Sequence, residues 1–324
     1  MMIVYMKSYQ CAFNAFERAG YSRTDAVRLM RSAVQLAIEA KLEHEQSSTN
    51  SKKTNQVATI ALSLGPYGAT LHPAQEFDGF YPPPYGPKEF IIDGENCNTF
   101  SPSEVEKDHM AEQALEDFHF ERLKVFASDE TVWKGIDLLV FETVPLVREI
   151  RAIRGAMKRL AEHLQVASLS ANMKPWWVST VWPGGIFPQE RTPGGSRLDV
   201  DDVIFALLSN HDESPAPHGI GINCTELRDL KMVVKKFGQA VTNMHQIGKI
   251  YLVLYPNGGN EYDGVNHTWK ITEDTTHSSS EWGASLARIV RHEMETGFWR
   301  GLVAGGCCKT GPSHIKSLQS AVLH

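Results

Sequence analysis

The sequence predicts an α/β fold whose parallel strands curl into a (β/α) barrel. Strand and helix signals alternate along most of the 324 residues, the order that a parallel sheet with crossover helices requires. The residues of notable chemistry follow one strand after another, as they do where a barrel gathers its site at the C-terminal rim. A doubly wound nucleotide fold would instead place a glycine-rich phosphate turn after an early strand. Neither GxGxxG nor GxxxxGK[ST] occurs, and Gly65-Pro66-Tyr67-Gly68 is too short for that task. No linker composition interrupts the chain and no repeat recurs at fixed period, so a single domain over residues 1–324 is expected.

The elements follow in order. Val27, Met30, Val34, Ile38 and Leu42 recur at three- and four-residue steps, so residues 24–42 form an amphipathic helix with Ser22 or Thr24 as its N-cap. The polar stretch 43–56 reads as a flexible connection. Residues 57–64 are a short apolar run ending in Gly-Pro-Tyr-Gly, a buried strand entering a tight loop. Residues 79–98 are rich in proline, glycine and aromatic residues, a long ordered excursion of the kind that usually has a task. A helix follows over 105–126. Strands are then expected at 137–141, 176–182, 219–223, 250–255 and 302–304, with helices at 146–164, 200–208, 226–237 and 279–295 between them.

Composition narrows the function classes. Hydrophobic residues make up 42% and charged residues 22%, which excludes wholesale disorder and collagen-like repeats. Thirty-two basic against 38 acidic side chains leave a net charge of −6, giving no global electrostatic reason to hold nucleic acid or an anionic membrane. No apolar run approaches the ~18 residues that span a bilayer, and the N-terminus lacks the basic region and long apolar core of a signal peptide. A soluble cytoplasmic protein is expected. Five cysteines, an odd number, argue against a disulfide framework and for reduced thiols.

Those thiols are the strongest chemical signal. Gly305-Gly306-Cys307-Cys308 follows the last apolar strand, and Gly221-Ile222-Asn223-Cys224 puts a third thiol in the same situation. Strand ends of one barrel share a rim, so Cys224, Cys307 and Cys308 can converge. Three thiolates with one open position describe a catalytic zinc site; the same thiols read equally well as small buried hydrophobes. Glu142, in Phe141-Glu142-Thr143-Val144-Pro145, sits just past a strand. It is placed either to hold a cationic group or to favour the dipole of the next helix. Tyr255-Pro256-Asn257-Gly258-Gly259 reads as a tight turn. The histidines contain no HExxH, and His44, His119, His163 and His211 are given no metal. Ser170 and Ser196 lack a nucleophile elbow, and Trp176-Trp177 reads as barrel packing.

In combination, Ser8-Tyr9-Gln10, residues 63–69, 141–145, 221–224, 255–259 and 305–312 resemble, in order, the homocysteine S-methyltransferase family. The Gly-Ile-Asn-Cys and Gly-Gly-Cys-Cys pair carries most of that specificity. The resemblance implies a (β/α)8 barrel that moves a methyl group from a sulfonium or quaternary-ammonium donor to the thiol of homocysteine, giving methionine. It implies Zn2+ on Cys224, Cys307 and Cys308, with Glu142 on the substrate ammonium group and Tyr9, Gln10 and Asn223 in substrate binding. The Gly-Pro-Tyr-Gly loop is similar to that of the branch using S-methylmethionine or S-adenosylmethionine. A thiol on zinc loses its proton outright, so no catalytic group beyond the zinc site is expected.

The pattern departs from the family at its start. The family opens with a strand carrying an Asp-Gly-Gly-type motif and a helix, whereas residues 1–6 here stand where the second strand begins. The expected barrel is therefore incomplete, short of its first strand and helix and bare at two edges. A second reading follows: a truncated, inactive relative that binds zinc or a partner without turnover. A redox role for Cys307-Cys308 is a third. Residues 79–98 and 182–196 are expected to be insertions over the rim.

Overall fold

A computed structural model describes residues 2–6, 8–49, 58–166, 172–210, 213–259, 261–263, 268–270 and 278–323. The chain opens with strand β1 (Met2–Tyr5), a short helix α1 (Phe13–Arg18) and the long helix α2 (Arg23–Thr49). Ser22 is the start signal of α2, its Oγ accepting the Asp25 N–H at 3.1 Å. Ala26, Met30 and Val34 form the buried stripe. The helix runs seven residues beyond 42, correcting the flexible connection expected from Glu43. Solvated turns need no apolar face, and Glu43, Glu45 and Gln46 are good helix formers. Residues 50–57, including the expected strand start at Val57, lie outside the described residues.

Strand β2 (Ala58–Leu64) enters a 3-10 turn at Tyr67–Thr70, followed by helices α3 (Val105–Ala127) and α4 (Glu130–Gly135). Then come β3 (Leu138–Val144), α5 (Val147–Val166), β4 (Trp176–Thr180), α6 (Val200–Leu208), β5 (Gly219–Asn223), α7 (Leu227–Asn243) and β6 (Tyr251–Tyr255). A small antiparallel ribbon, β7 (Glu261–Asp263) with β8 (Thr268–Lys270), precedes α8 (Ser279–Thr296), β9 (Gly301–Ala304) and α9 (Pro312–Leu323). The sequence reading missed α1, α4, α9 and the ribbon. The first two have only six residues each, and α9 buries a single side chain, Leu318.

The main sheet has seven strands in the order β1-β2-β3-β4-β5-β6-β9, every neighbouring pair parallel. It is an open parallel sheet among the described residues, with β1 and β9 at its margins. That is the architecture of a barrel one strand short, and the eight-stranded closure of a complete (β/α)8 barrel is not seen among them.

Alternation sorts the side chains to the two faces. Leu62, Leu139, Phe141, Val178, Ile220, Ile222, Leu252 and Leu254 belong to the main core that the sheet shares with its helices. Ala61, Leu138, Val140, Trp177, Val253 and Tyr255 form a second cluster on the opposite, inner face. On β5 the inward positions are Gly219 and Gly221. A Cβ on Gly221 would lie 3.0 Å from that of Val253, so glycine makes room for the larger neighbours. Trp176 and Trp177 divide between the two clusters, consistent with a packing role. The two excursions are lashed together by Asn98. Its amide donates to the carbonyls of Asp78 (2.7 Å) and Pro188 (2.8 Å) and its Oδ1 accepts the Glu190 N–H (2.9 Å).

Candidate active site

The C-terminal strand ends bring the three expected thiols together. Cys224 follows β5 directly and Cys307-Cys308 follow β9, and their Sγ atoms all lie within 4.8 Å of one another. Cys224 and Cys308 are 3.8 Å apart. The loops are held rather than draped: Cys307 N–H donates to the Pro256 carbonyl at 2.9 Å, and Gly258 N–H to that of Cys308 at 2.8 Å. Gly258 packs so closely that a Cβ would fall inside the Lys309 carbonyl and 2.9 Å from the Thr310 nitrogen. Thr143, Cys224 and Lys309 adopt φ of 61°, 48° and 63°. Left-handed backbone is costly for a β-branched threonine and persists where its surroundings over-determine it.

Asn223 supplies that constraint at Thr143. Its Oδ1 accepts the Thr143 N–H at 2.8 Å and its Nδ2 donates to Thr143 Oγ1 at 2.7 Å. The Thr143 hydroxyl in turn faces Cys224 Sγ at 3.9 Å, and Asn223 Nδ2 lies 3.8 Å from Cys307 Sγ. The side chain expected to bind substrate is thus occupied in clamping β3 to β5 and orienting two sulfurs.

The sulfurs share their charge. Hydrogen bonds from Cys224 and Cys307 pull the Cys308 thiol down to about 3. Cys224 is pushed well up by its bonds to Cys307 and Cys308 and by burial. Cys307, favoured by Cys224 but opposed by Cys308 and burial, also ends above its ordinary value. One negative charge is easily held among three sulfurs this close, and a second or third calls for a cation.

Glu142 is buried beside the cluster. β3 extends to Val144 rather than ending at 141, so Glu142 lies within the strand and not just past it, its polar side chain turned to the inner face. Ser63 Oγ–H donates to its carboxylate and Tyr255 adds a second hydrogen bond. Burial nonetheless raises its carboxyl to about 7. Tyr9 is half-buried nearby and hydrogen-bonds with Thr143. Burial, then Glu76 and Cys224, push its phenol far up, so it stays protonated. Gln10 is exposed, and its amide donates to the Ala69 carbonyl at 3.2 Å instead of reaching the thiols.

Further residues complete the site, of which Arg122, Glu149 and Glu76 carry no signal of their own in the sequence. Arg122, fully buried, donates to the carbonyls of Gly65 (2.7 Å), Cys11 (2.9 Å) and Tyr9 (3.1 Å), fixing the segment that presents Tyr9. Glu149 accepts from the Tyr67 N–H and the Tyr81 hydroxyl, both at 2.7 Å, and lies 3.0 Å from His119 Nε2, anchoring the Gly-Pro-Tyr-Gly loop. Both side-chain polar atoms of Asn257 are buried without a hydrogen-bond partner, on the loop that touches Cys308. Glu76 and Phe77 reach the cluster from the excursion after the 3-10 turn. Among the described residues no helix is long and apolar enough to cross a membrane.

A family profile described as homocysteine S-methyltransferase matches residues 2–322. Homocysteine S-methyltransferase YbgG of Bacillus subtilis (strain 168) is 26% identical over 317 residues, 96% of this chain and 76% of that protein. Homocysteine S-methyltransferase 1 of Arabidopsis thaliana is 28% identical over 320 residues, 98% of this chain and 77% of that protein. Among solved structures, the oxidized form of the homocysteine methyltransferase MmuM from Escherichia coli superposes with a TM-score of 0.57 at 22% identity. It covers 98% of this chain and 79% of that one. The metallated form gives 0.54 at 21%. These structural likenesses bear on the fold.

Proposed function

The chain belongs to the homocysteine S-methyltransferase family, and from that premise we propose that it transfers a methyl group from S-methylmethionine or S-adenosylmethionine to homocysteine, with Zn2+ held by Cys224, Cys307 and Cys308. The observation that carries this reading is the convergence of three sulfurs from two strand ends. Zinc–thiolate bonds of ~2.3 Å in a tetrahedron separate sulfurs by about 3.8 Å, and Cys224 and Cys308 are 3.8 Å apart. Three protein sulfurs leave a fourth position for a substrate sulfur, and their need for a cation fits a soft divalent metal.

When bound, zinc supplies the Lewis acidity that keeps the homocysteine sulfur a thiolate at neutral pH. The chain's own residues do the positioning. Glu142, buried and poised near neutrality, loses its proton on meeting the homocysteine ammonium group and orients the amino acid through that charge pair. Asn223 and Thr143 fix the direction of the Cys224 and Cys307 sulfurs. Tyr9 offers a hydroxyl donor that does not ionise. In the transfer, a thiolate electron pair forms the new S–CH3 bond as the donor's C–S bond breaks. The bonding pair leaves with the donor sulfur, which becomes a neutral thioether. The reaction needs in-line approach, and no general base acts in it.

Zinc content per chain, measured on wild type and Cys307→Ala together with a homocysteine methylation assay, tests the reading. About one zinc in the wild type, lost together with activity in the variant, supports it. Folded protein without zinc overturns it, and zinc without turnover reduces the site to a metal-binding one.

A further inference from the structure

Glu76 is an acidic side chain beside the sulfurs that the proposed reaction leaves without work. It sits in a fixed segment, since Gln75 N–H donates to the Gly68 carbonyl at 2.9 Å and Gly79 N–H to that of Gln75 at 2.8 Å. Its Oε2 is buried with no hydrogen-bond partner. It is close enough to Cys308 for the two charges to oppose each other, and it likewise acts on the Tyr9 phenol. No cation of the described residues offsets its charge, and burial raises its carboxyl to about 7. A buried carboxylate oxygen left without a partner is expensive unless something charged completes it.

What lies next to it suits a cation. Phe77, the following residue, packs with Val181 against Cys224, with Cys307 and Cys308 at the edge of that cluster. Phe77 also walls a cavity of about 240 Å3 with Asp78, Phe80, Pro183 and Ile186, between the two excursions, and Glu76 adjoins that wall through Phe77. Aromatic faces beside a carboxylate favour a positive centre with an apolar surround. Arg197 shares the wall, but its guanidinium lies 3.8 Å from Glu190 and is bound to the Pro188 carbonyl. Glu142 belongs to the sheet and Glu76 to the rim, so the two carboxylates approach the sulfurs from different elements. A methyl transfer needs its two substrates on different sides of the moving group.

Resting on the methyl-transfer reading, we propose that Glu76 is the specificity-determining residue for the donor, holding its sulfonium centre and so preferring it to an uncharged molecule of the same shape. Because the sulfonium charge disappears on transfer, the same carboxylate releases its hold on the demethylated product. Glu76 is a binding group and takes no proton in the reaction.

Isothermal titration of the zinc-containing protein compares S-methylmethionine with 2-amino-5-methylhexanoate, its carbon isostere lacking the sulfonium charge. The wild type is expected to bind the sulfonium about tenfold or more tightly than the isostere. Glu76→Gln should bring the two within about twofold, with homocysteine affinity unchanged, and Glu76→Asp should restore part of the preference. A Gln variant that keeps the full preference overturns the proposal, as does a wild type that shows none. Loss of homocysteine binding in place of donor preference would also overturn it. The measurement needs no turnover. A wild type that prefers the sulfonium yet methylates nothing would sink the methyl-transfer reading while leaving the binding role of Glu76 standing.

Discussion

Replacing Glu142 by glutamine should stabilise the protein at alkaline pH while weakening its grip on homocysteine. The carboxyl titrates near 7 in the fold against an ordinary 4.5, chiefly because it is buried. Between those values the unfolded chain has released a proton that the folded chain keeps. Folding therefore takes up a proton, and stability falls as pH rises from about 4.5 to about 7. The cost is small below the lower value and complete above the upper one. At 1.36 kcal/mol per tenfold, the interval corresponds to about 3 kcal/mol at pH 8. Glutamine keeps an acceptor for the Ser63 and Tyr255 hydroxyls but adds an amide N–H2 that needs a partner, which returns about 1 kcal/mol of the gain. Urea denaturation of substrate-free protein should therefore show Glu142→Gln about 2 kcal/mol more stable than wild type at pH 8. At pH 5 the gain should vanish. The homocysteine KM should rise tenfold or more. A stability difference that is the same at both pH values, or a variant less stable at pH 8, would refute the assignment of a buried, reluctantly ionised carboxylate.

Two further substitutions probe the frame around the sulfurs. Gly258→Ala forces a methyl group into the Lys309 carbonyl. It should cost about 1–3 kcal/mol in thermal or urea unfolding and weaken zinc binding, in a chelator competition, by about 10–100-fold, the scale seen when metal-supporting contacts are lost. Arg122→Met removes the donor to one buried and two part-buried carbonyls and should destabilise by about 2–4 kcal/mol. Its zinc content per folded chain should stay near that of the wild type, because the guanidinium touches Tyr9, Cys11 and Gly65 and none of Cys224, Cys307 and Cys308.

The parts of the fold and site that were legible in the sequence are those written in contiguous residues. Alternating apolar runs and amphipathic stripes give the order of strands and helices, because each depends on a short local period. Cys224, Cys307 and Cys308 are readable for the same reason: each follows a strand directly, and a parallel sheet places such positions at one end. The strand boundary at Glu142 is misread because Glu142 and Thr143 look like loop residues, whereas the inner face of a strand end accepts polar groups that find partners there. Glu76 lies in a stretch with no period, and nothing local marks its carboxylate as buried. The Arg122 and Glu149 anchors join residues more than 50 positions apart. Asn223 is legible as part of its motif, but its hydrogen bonds to Thr143, 80 positions away, are not.

The two margins of the sheet are unequal in a way that matters for how the molecule comes apart. β9 is the outermost strand on its side, paired only through β6 among the described residues, and its four residues are all partly exposed. Cys307 and Cys308 hang from that margin, whereas Cys224 is seated two strands further in. Anything that grips all three sulfurs therefore also rivets the fringe of the sheet to its middle. Amide hydrogens of residues 301–304 should exchange fastest among the strands from β2 onward when the sulfurs hold nothing, and slow sharply when they share a ligand. In that sense the chemistry of the rim and the mechanical integrity of the margin are one property, and a cysteine lost from the centre would be felt first as fraying.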